Sequence, residues 1–199
     1  YRNIGDIALI SSLIFNNDFS LLNQKIKELE KDNNSKEITI SKSREKDIPK
    51  DLLFSITSHL KQLNISTSNL SKKKYIFDES IDNLLLNEKD LVDKIFLDLQ
   101  SHLILCEKNS GIWSVEYLNE IVFGQKKPYD LKTLNEGVPI MCTKNNNELG
   151  LSNGDIGVLI GLKNKRKYLF RKFNDNNEEI VTLIDPSNLE NVVPAIAIT

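Results

Sequence analysis

Glu148-Leu-Gly-Leu-Ser-Asn-Gly-Asp-Ile-Gly-Val-Leu-Ile-Gly161 decides the fold of this chain. It is apolar, then a turn, then apolar again. Leu149 and Leu151 lead in. Asn153-Gly154 is a turn pair, because both residue types tolerate the positive φ that a type I′ hairpin requires at its two central positions. Ile156, Val158 and Ile160 then alternate with Gly157, Leu159 and Gly161, the period-two pattern of a strand. Upstream, Val138 to Thr143 reads as another strand; downstream, Tyr168 to Phe170 and Ile180 to Ile184 read as two more. Asn153, Gly154 and Asp155 are thereby assigned to shaping a turn rather than to chemistry. The expectation is a small barrel of short antiparallel strands, appended to something else.

That something else lies upstream. Ile4, Ile7, Ala8, Ile10, Ser11 and Ile14 fall at helical spacing and predict a helix ending near Asn16-Asn17-Asp18. Phe19, Leu22, Ile26 and Leu29 predict a second, amphipathic helix. Glu37 to Ile40 is a short strand candidate. Leu52, Leu53, Ile56 and Leu60 place a helix over 51–63, and the Ser/Asn/Lys-rich run 64–74 reads as a mobile loop. Ile81, Leu84, Leu85, Leu91, Ile95 and Leu99 predict one or two further helices. Leu103 to Cys106 is a continuous apolar run, as in a strand buried on both faces of a parallel sheet. Trp113 to Phe123 returns to helical period, and strand followed by helix is an α/β signature. Residues 124–134, with Pro128, form a linker into the barrel. Ala195 to Ile198 is a last apolar run able to return to the α/β sheet, which would make the barrel an insertion.

The totals bound the function. A chain of 199 residues with 40% hydrophobic content can bury a real core, and a net charge of −2 argues against a dedicated basic arm for nucleic acid. A local basic groove stays open, because Lys163, Lys165, Arg166, Lys167, Arg171 and Lys172 crowd together; the other reading is a solvated charged edge that blocks strand-to-strand aggregation. Cys106 and Cys142 sit in apolar runs and read as buried free thiols, in keeping with a reducing cytoplasm. No apolar run approaches the ~20 residues of a membrane span, so no membrane role is expected. No signal peptide is visible. The chain starts at Tyr1 without an initiator Met, and the expectation is a piece of a longer protein. A glycine-rich phosphate loop with Lys-Ser/Thr, HExxH and paired-cysteine motifs are all absent from the sequence, so no metal site is expected. His59 and His102 have no partner pattern and read as packed or surface residues.

Several stretches resemble one family. Gly137-Val-Pro-Ile-Met-Cys-Thr-Lys-Asn145 followed by Leu149-Gly-Leu-Ser-Asn-Gly-Asp-Ile-Gly157 resembles G-x-P-V-M-x-x-x-N…L-G-L-F-N-G-D-I-G. That pattern belongs to RecD, the α subunit of exodeoxyribonuclease V. Leu105-Cys106…Gly111-Ile-Trp-Ser-Val115…Leu118-Asn119 resembles the family's L-C-A-x-R-x-G-P-x-G-V-x-x-L-N. Tyr1-Arg2 resembles the start of helicase motif IV, and Ala197-Ile198-Thr199 the A-M-T before H-K-S-Q-G-S-E-F.

The resemblance implies an ATP-dependent, 5′-to-3′ superfamily 1 DNA helicase that works in a heterotrimer with RecB-like and RecC-like subunits in double-strand-break repair. On that reading the fold class is α/β: residues 1–135 are part of the second RecA-like motor domain, 136–191 an inserted SH3-like β-barrel, and 192–199 the return strand. ATP and Mg would belong to the full-length protein, with none expected on this piece, since the family's ATP-binding loop would lie upstream. Arg2 matches the motif IV arginine, implied to reach the γ-phosphate, for which a planar, permanently charged guanidinium is suited. Asn119, Lys163, Lys165, Arg166 and Lys167 are the candidate DNA contacts. Trp113 reads as core or as a base-stacking platform. Asn109 stands where the family usually has Arg, and Ile112 and Ser114 replace the usual Pro and Gly, so the loop after Leu103–Cys106 is expected to contact DNA more weakly than in the family, or not at all. The alternatives are a stand-alone SH3-like protein-interaction module, or a RecD-like helicase acting without RecB and RecC.

Overall fold

The computed structural model describes residues 5–31, 38, 48–73, 81–161, 166–173 and 178–199, with the backbone alone at 81–86 and 173. The chain divides into two compact units, residues 1–49 and 50–199. The predicted strand at 37–40 falls outside the described residues apart from Ile38. Among the described residues no helix is long and apolar enough to cross a membrane.

The first unit is a pair of helices, α1 (Asp6–Phe15) and α2 (Phe19–Lys31). Asn17, with a φ of 56°, makes the bend between them. The Asp18 carboxylate accepts from Leu21 N at 3.2 Å and so caps α2. Lys25 pairs with Asp6 at 2.9 Å across the two helices.

The second unit begins with two long helices. α3 runs over Lys50–Ser71 and α4 over Ile81–Gln100, with a break in helical geometry at Glu88. The loop expected at 64–74 is therefore helical through Ser71. Its Ser, Thr and Asn residues are weak helix formers by themselves, but here their side chains have partners. Asn64 Nδ2 donates to Glu136 O at 2.9 Å, Thr67 Oγ1 to Leu63 O at 2.8 Å, and Ser66 Oγ to Asp98. Ser68 and Ser71 both donate to the Glu136 carboxylate. Tertiary contacts thus override local propensity.

After α4 come β1 (Ile104–Leu105) and α5 (Val115–Phe123), and then a five-stranded antiparallel sheet. Its strands are β2 (Pro139–Cys142), β3 (Ile156–Ile160), β4 (Lys167–Phe173), β5 (Glu179–Ile184) and β6 (Val192–Pro194), in the order β5-β4-β3-β2-β6. The four strands read from the sequence are all present. The closed barrel is not: β5 and β6 are the two edges of an open sheet. Both faces are nonetheless covered, which removes the need for closure. Val158, Ile160, Leu169 and Val181 face Leu63 and Leu70 of α3 and Val92, Ile95, Phe96 and Leu99 of α4. Ile140, Cys142, Leu159, Tyr168, Phe170 and Ile184 form the second core with Leu134, Val138, Leu151, Leu189 and Val192. Alternation along β3 sends Val158 and Ile160 to one core and Leu159 to the other, and all three are buried.

The Asn153-Gly154 turn also differs from expectation. Gly154 has a φ of 95°, while Asn153 is not in the left-handed region. Asp155 N donates to Ser152 O at 3.1 Å. Positive φ at the third position alone is the type II requirement, not type I′. Nor does the turn join two paired strands: the lead-in contributes a single bridge, Asn146 to Leu151, and β3 pairs with β2 across the long 143–155 connection. Side chains fill the gap. Asn145 Oδ1 accepts from Asn153 N, and Asp155 Oδ2 from Ser152 N, both at 2.8 Å.

The last strand, β7 (Ala197–Ile198), leaves this sheet and pairs in parallel with β1, Ile104 against Ala197 and Leu105 against Ile198. β1 is not buried on both faces as the apolar run suggested. Leu103 is 54% and Leu105 73% exposed, since β7 is the one strand the described residues place beside it.

Candidate nucleic-acid interface

β1 and β7 run parallel, so both deliver their carboxyl ends to the same side. In open α/β sheets, ligands bind at that end of the strands. Three things meet there: Thr199, the 107–113 loop and the start of α5. Cys106 N donates to Ile198 O at 2.8 Å, and Thr199 Oγ1 to Asn109 Oδ1 at 3.4 Å.

The loop is held by the helix it precedes. Ser114 is fully buried; its Oγ accepts from Tyr117 N at 3.1 Å and donates to Gly111 O at 2.7 Å. Val115 N donates to Lys108 O and Glu116 N to Asn109 O. The first amides of α5 are thus satisfied by their own loop, and the helix start offers no ready anion cradle. What the loop presents is Lys108, Asn109, Ser110 and Ile112, all exposed. Trp113, next in the chain, is half-buried with a φ of 61°, a conformation that a bulky side chain adopts at a cost of about 1–2 kcal/mol. The helix therefore starts at Val115, later than the Trp113 start expected. A cation beside exposed polar groups can hold a phosphate, and an indole can support a base. Lys108 was not among the residues singled out from sequence; its place just past a strand end is the signal that finds it. Ser114→Ala is expected to cost about 1–2 kcal/mol, measured by thermal unfolding, and to loosen the loop. An unchanged melting temperature would remove the cap from this account.

The other predicted site residues are scattered. Arg2, Lys163 and Lys165 lie outside the described residues. Asn119 is fully buried in α5; its Nδ2 donates to Tyr129 Oη at 3.3 Å and its Oδ1 has no partner among the described residues. The described cations of the basic cluster are all engaged within the chain. Arg166 Nη1 donates to Leu131 O at 2.9 Å and Lys167 pairs with Asp185 at 2.8 Å. Arg171 stacks 4.5 Å over the Phe96 ring while bonding Asp93 at 2.9 Å and Glu179 at 3.4 Å, and Lys172 donates to Gly150 O. These cations fasten β4 to its neighbours. Asn153, Gly154 and Asp155 shape the turn described above. Cys142 is a buried free thiol; Cys106, also free, is half-buried rather than buried, and burial pushes its pKa up. Among the described residues no group of three or more His, Cys, Asp and Glu could hold a metal ion.

The histidines do have partners. The His59 and His102 rings lie 5.0 Å apart, and His102 Nε2 is 3.0 Å from Ser55 Oγ. Burial lowers both pKa values, and His102 lowers that of His59 further, against a smaller opposing pull from Asp98. The unfolded chain therefore binds protons first as pH falls through about 6.5. Stability should be full above that pH and decline as pH drops below it. His102→Gln should flatten the slope in melting-temperature scans, and an unaltered slope would rule out this pair as its source.

No protein-family profile matches the chain. Over 103 residues, 47% of this chain, it is 30% identical to the RecBCD enzyme subunit RecD of Buchnera aphidicola subsp. Schizaphis graminum (strain Sg). The chain spans 17% of the length of that relative. The likeness is to RecD, over about half the chain, on a mixed helix-and-sheet fold.

Proposed function

We propose that this chain is part of the second motor domain of a RecD-type, ATP-dependent 5′-to-3′ DNA helicase. The observation that carries this reading is the 103-residue likeness to RecD. The parallel β1–β7 pair with α5 supports it, because motor domains of this kind are built from parallel strands with helical crossovers. Residues 1–135 and 192–199 would belong to the motor domain, and 136–191 to its insertion. ATP and Mg would bind to other parts of the intact protein, with DNA, RecB-like and RecC-like subunits as partners in double-strand-break repair.

In this role the loop at the carboxyl ends of β1 and β7 would track one strand of DNA. Lys108 would meet a phosphate and Trp113 would stiffen the loop. Asn119, through Tyr129, would hold α5 against the segment leading into the insertion. The test is DNA-stimulated ATP hydrolysis and unwinding by the intact protein, with single-stranded DNA carrying a photoreactive base. Cross-links to residues 107–113 and a several-fold weaker, less salt-sensitive affinity for Lys108→Glu are expected. An intact protein without DNA-stimulated turnover would overturn the helicase reading. Normal affinity in Lys108→Glu would remove the loop from the interface.

A further inference from the structure

Asn153-Gly154 is the one Asn-Gly pair in the chain. An Asn before Gly is open to attack by the next backbone nitrogen on its side-chain amide, because no Cβ hinders the approach. Both residues are exposed, and nothing lies within 4 Å of where a Gly154 Cβ would stand. The attacking nitrogen, however, is engaged. Gly154 N donates to Cys142 O at 2.8 Å, and Cys142 is fully buried on β2. Asn153 N donates to Asn145 Oδ1, and Ser152 N to Asp155 Oδ2, both at 2.8 Å. To attack, Gly154 N must give up its proton. That proton is what joins it to the Cys142 carbonyl, and its loss there would set a negative nitrogen against an electronegative oxygen.

We propose that Asn153 is a site of spontaneous deamidation that the folded turn holds closed, and that it is modified when Gly154 N leaves Cys142 O. In the first step Gly154 N loses its proton and bonds to Asn153 Cγ. The Cγ–Nδ2 bond breaks, and Nδ2 departs with that proton as ammonia, leaving a succinimide ring. Water then opens the ring at one of its two carbonyls. Opening at Cγ gives Asp; opening at the main-chain carbonyl gives isoaspartate. Either product replaces a neutral amide by a carboxylate. Asp leaves the backbone path as it was. Isoaspartate adds a methylene to the main chain between Asn153 N and Gly154 N, the two donors that fix the turn, so their two bonds no longer form together. A turn that has opened and reacted in this way does not close again, and the β2–β3 connection keeps a covalent record of the opening.

The test is peptide mapping of the 199-residue chain after incubation in mildly alkaline buffer, with and without enough urea to unfold it. Tandem mass spectra of the tryptic peptide 145–163 locate the amide-to-acid change, and an isoaspartate methyltransferase counts the isomerised product. Asn153 should convert in urea, and about tenfold or more slowly in the folded chain, since the turn must open first. Asn145→Ala removes one of the two bonds and should raise the folded-state rate several-fold, with the rate in urea unchanged. Exchange of the Gly154 amide proton, followed by NMR, should rise by the same factor. If that variant does not fold, the folded and unfolded rates of the unaltered chain decide. Equal rates with and without urea would overturn the closure, and no conversion at Asn153 in urea would overturn the site. An unchanged folded-state rate in Asn145→Ala would overturn the part given to the turn's hydrogen bonds. Chain carrying isoaspartate should melt below Asn153→Asp, and equal melting would overturn the one-way opening. None of these outcomes depends on whether the intact protein is a helicase.

Discussion

Gly137→Ala is expected to lower the melting temperature by roughly 10 °C. Gly137 has a φ of 87°, and the left-handed region by itself costs a non-glycine residue about 1–2 kcal/mol. The larger effect is steric. A Cβ there would lie 2.5 Å from Asn64 N and 2.6 Å from Asn64 Cα. Those atoms are the backbone of α3 and cannot swing aside as a flexible side chain would. α3 must back away, and with it go the Asn64–Glu136 bond, the two serines on the Glu136 carboxylate and the Ser71 Oγ that accepts from Gly161 N at 3.0 Å. A total of about 3–5 kcal/mol is in line with breaking such a network, and at roughly 2–4 °C per kcal/mol for a chain this size the shift follows. Gly124→Ala is the control. Gly124 ends α5 with a φ of 66° but has nothing within 4 Å of its would-be Cβ, so it should cost the dihedral term alone. Equal losses in the two variants would show that α3 does not press on Gly137.

Arg2→Ala, made in the intact protein, is expected to reduce ATP hydrolysis by on the order of 10³-fold while leaving nucleotide binding in place. The expectation rests on the Tyr1-Arg2 resemblance to motif IV and on charge. Negative charge redistributes over the γ-phosphoryl and leaving oxygens in the transition state, and a guanidinium delivered from a second domain can stabilise that charge more than the ground state. Arg2→Lys should recover little, since an ammonium lacks the planar fork. Steady-state turnover together with fluorescent-nucleotide binding separates the two effects. A variant with near-normal turnover would remove Arg2 from the site.

What was legible in the sequence followed period and turn chemistry. Val158 and Ile160 against Leu159 give an unmistakable strand, and Ile95 and Leu99 an unmistakable helix face. What was not legible depended on partners distant in sequence. Nothing in Asn64–Ser71 says helix until Glu136 and Asp98 are beside it. The Asn-Gly pair suggests a type I′ hairpin, yet Asn145 and Asp155 side chains build another turn. Barrel closure was inferred from short strands alone, whereas α3 and α4 cover the face that closure would otherwise hide. Charge density in the basic cluster leaves both a DNA groove and a solvated charged edge open; the acceptors that occupy Arg171 and Lys172 come from α4, β5 and the 149–150 loop. Asn119 carried the family resemblance, but a side chain's burial cannot be read from a motif.

The pairing of residue 104 with residue 197 sets a timetable for synthesis. β1 leaves the ribosome well ahead of β7, the strand that the described residues pair with it. At about 5–20 residues per second, Leu103 and Leu105 wait roughly 5–20 seconds for that pairing. In that interval β2 to β5 are made and can pair in sequence order, while β6 follows only a few residues ahead of β7. The four paired strands then carry β6 and β7 back together, which shortens the search that two such distant segments would otherwise face.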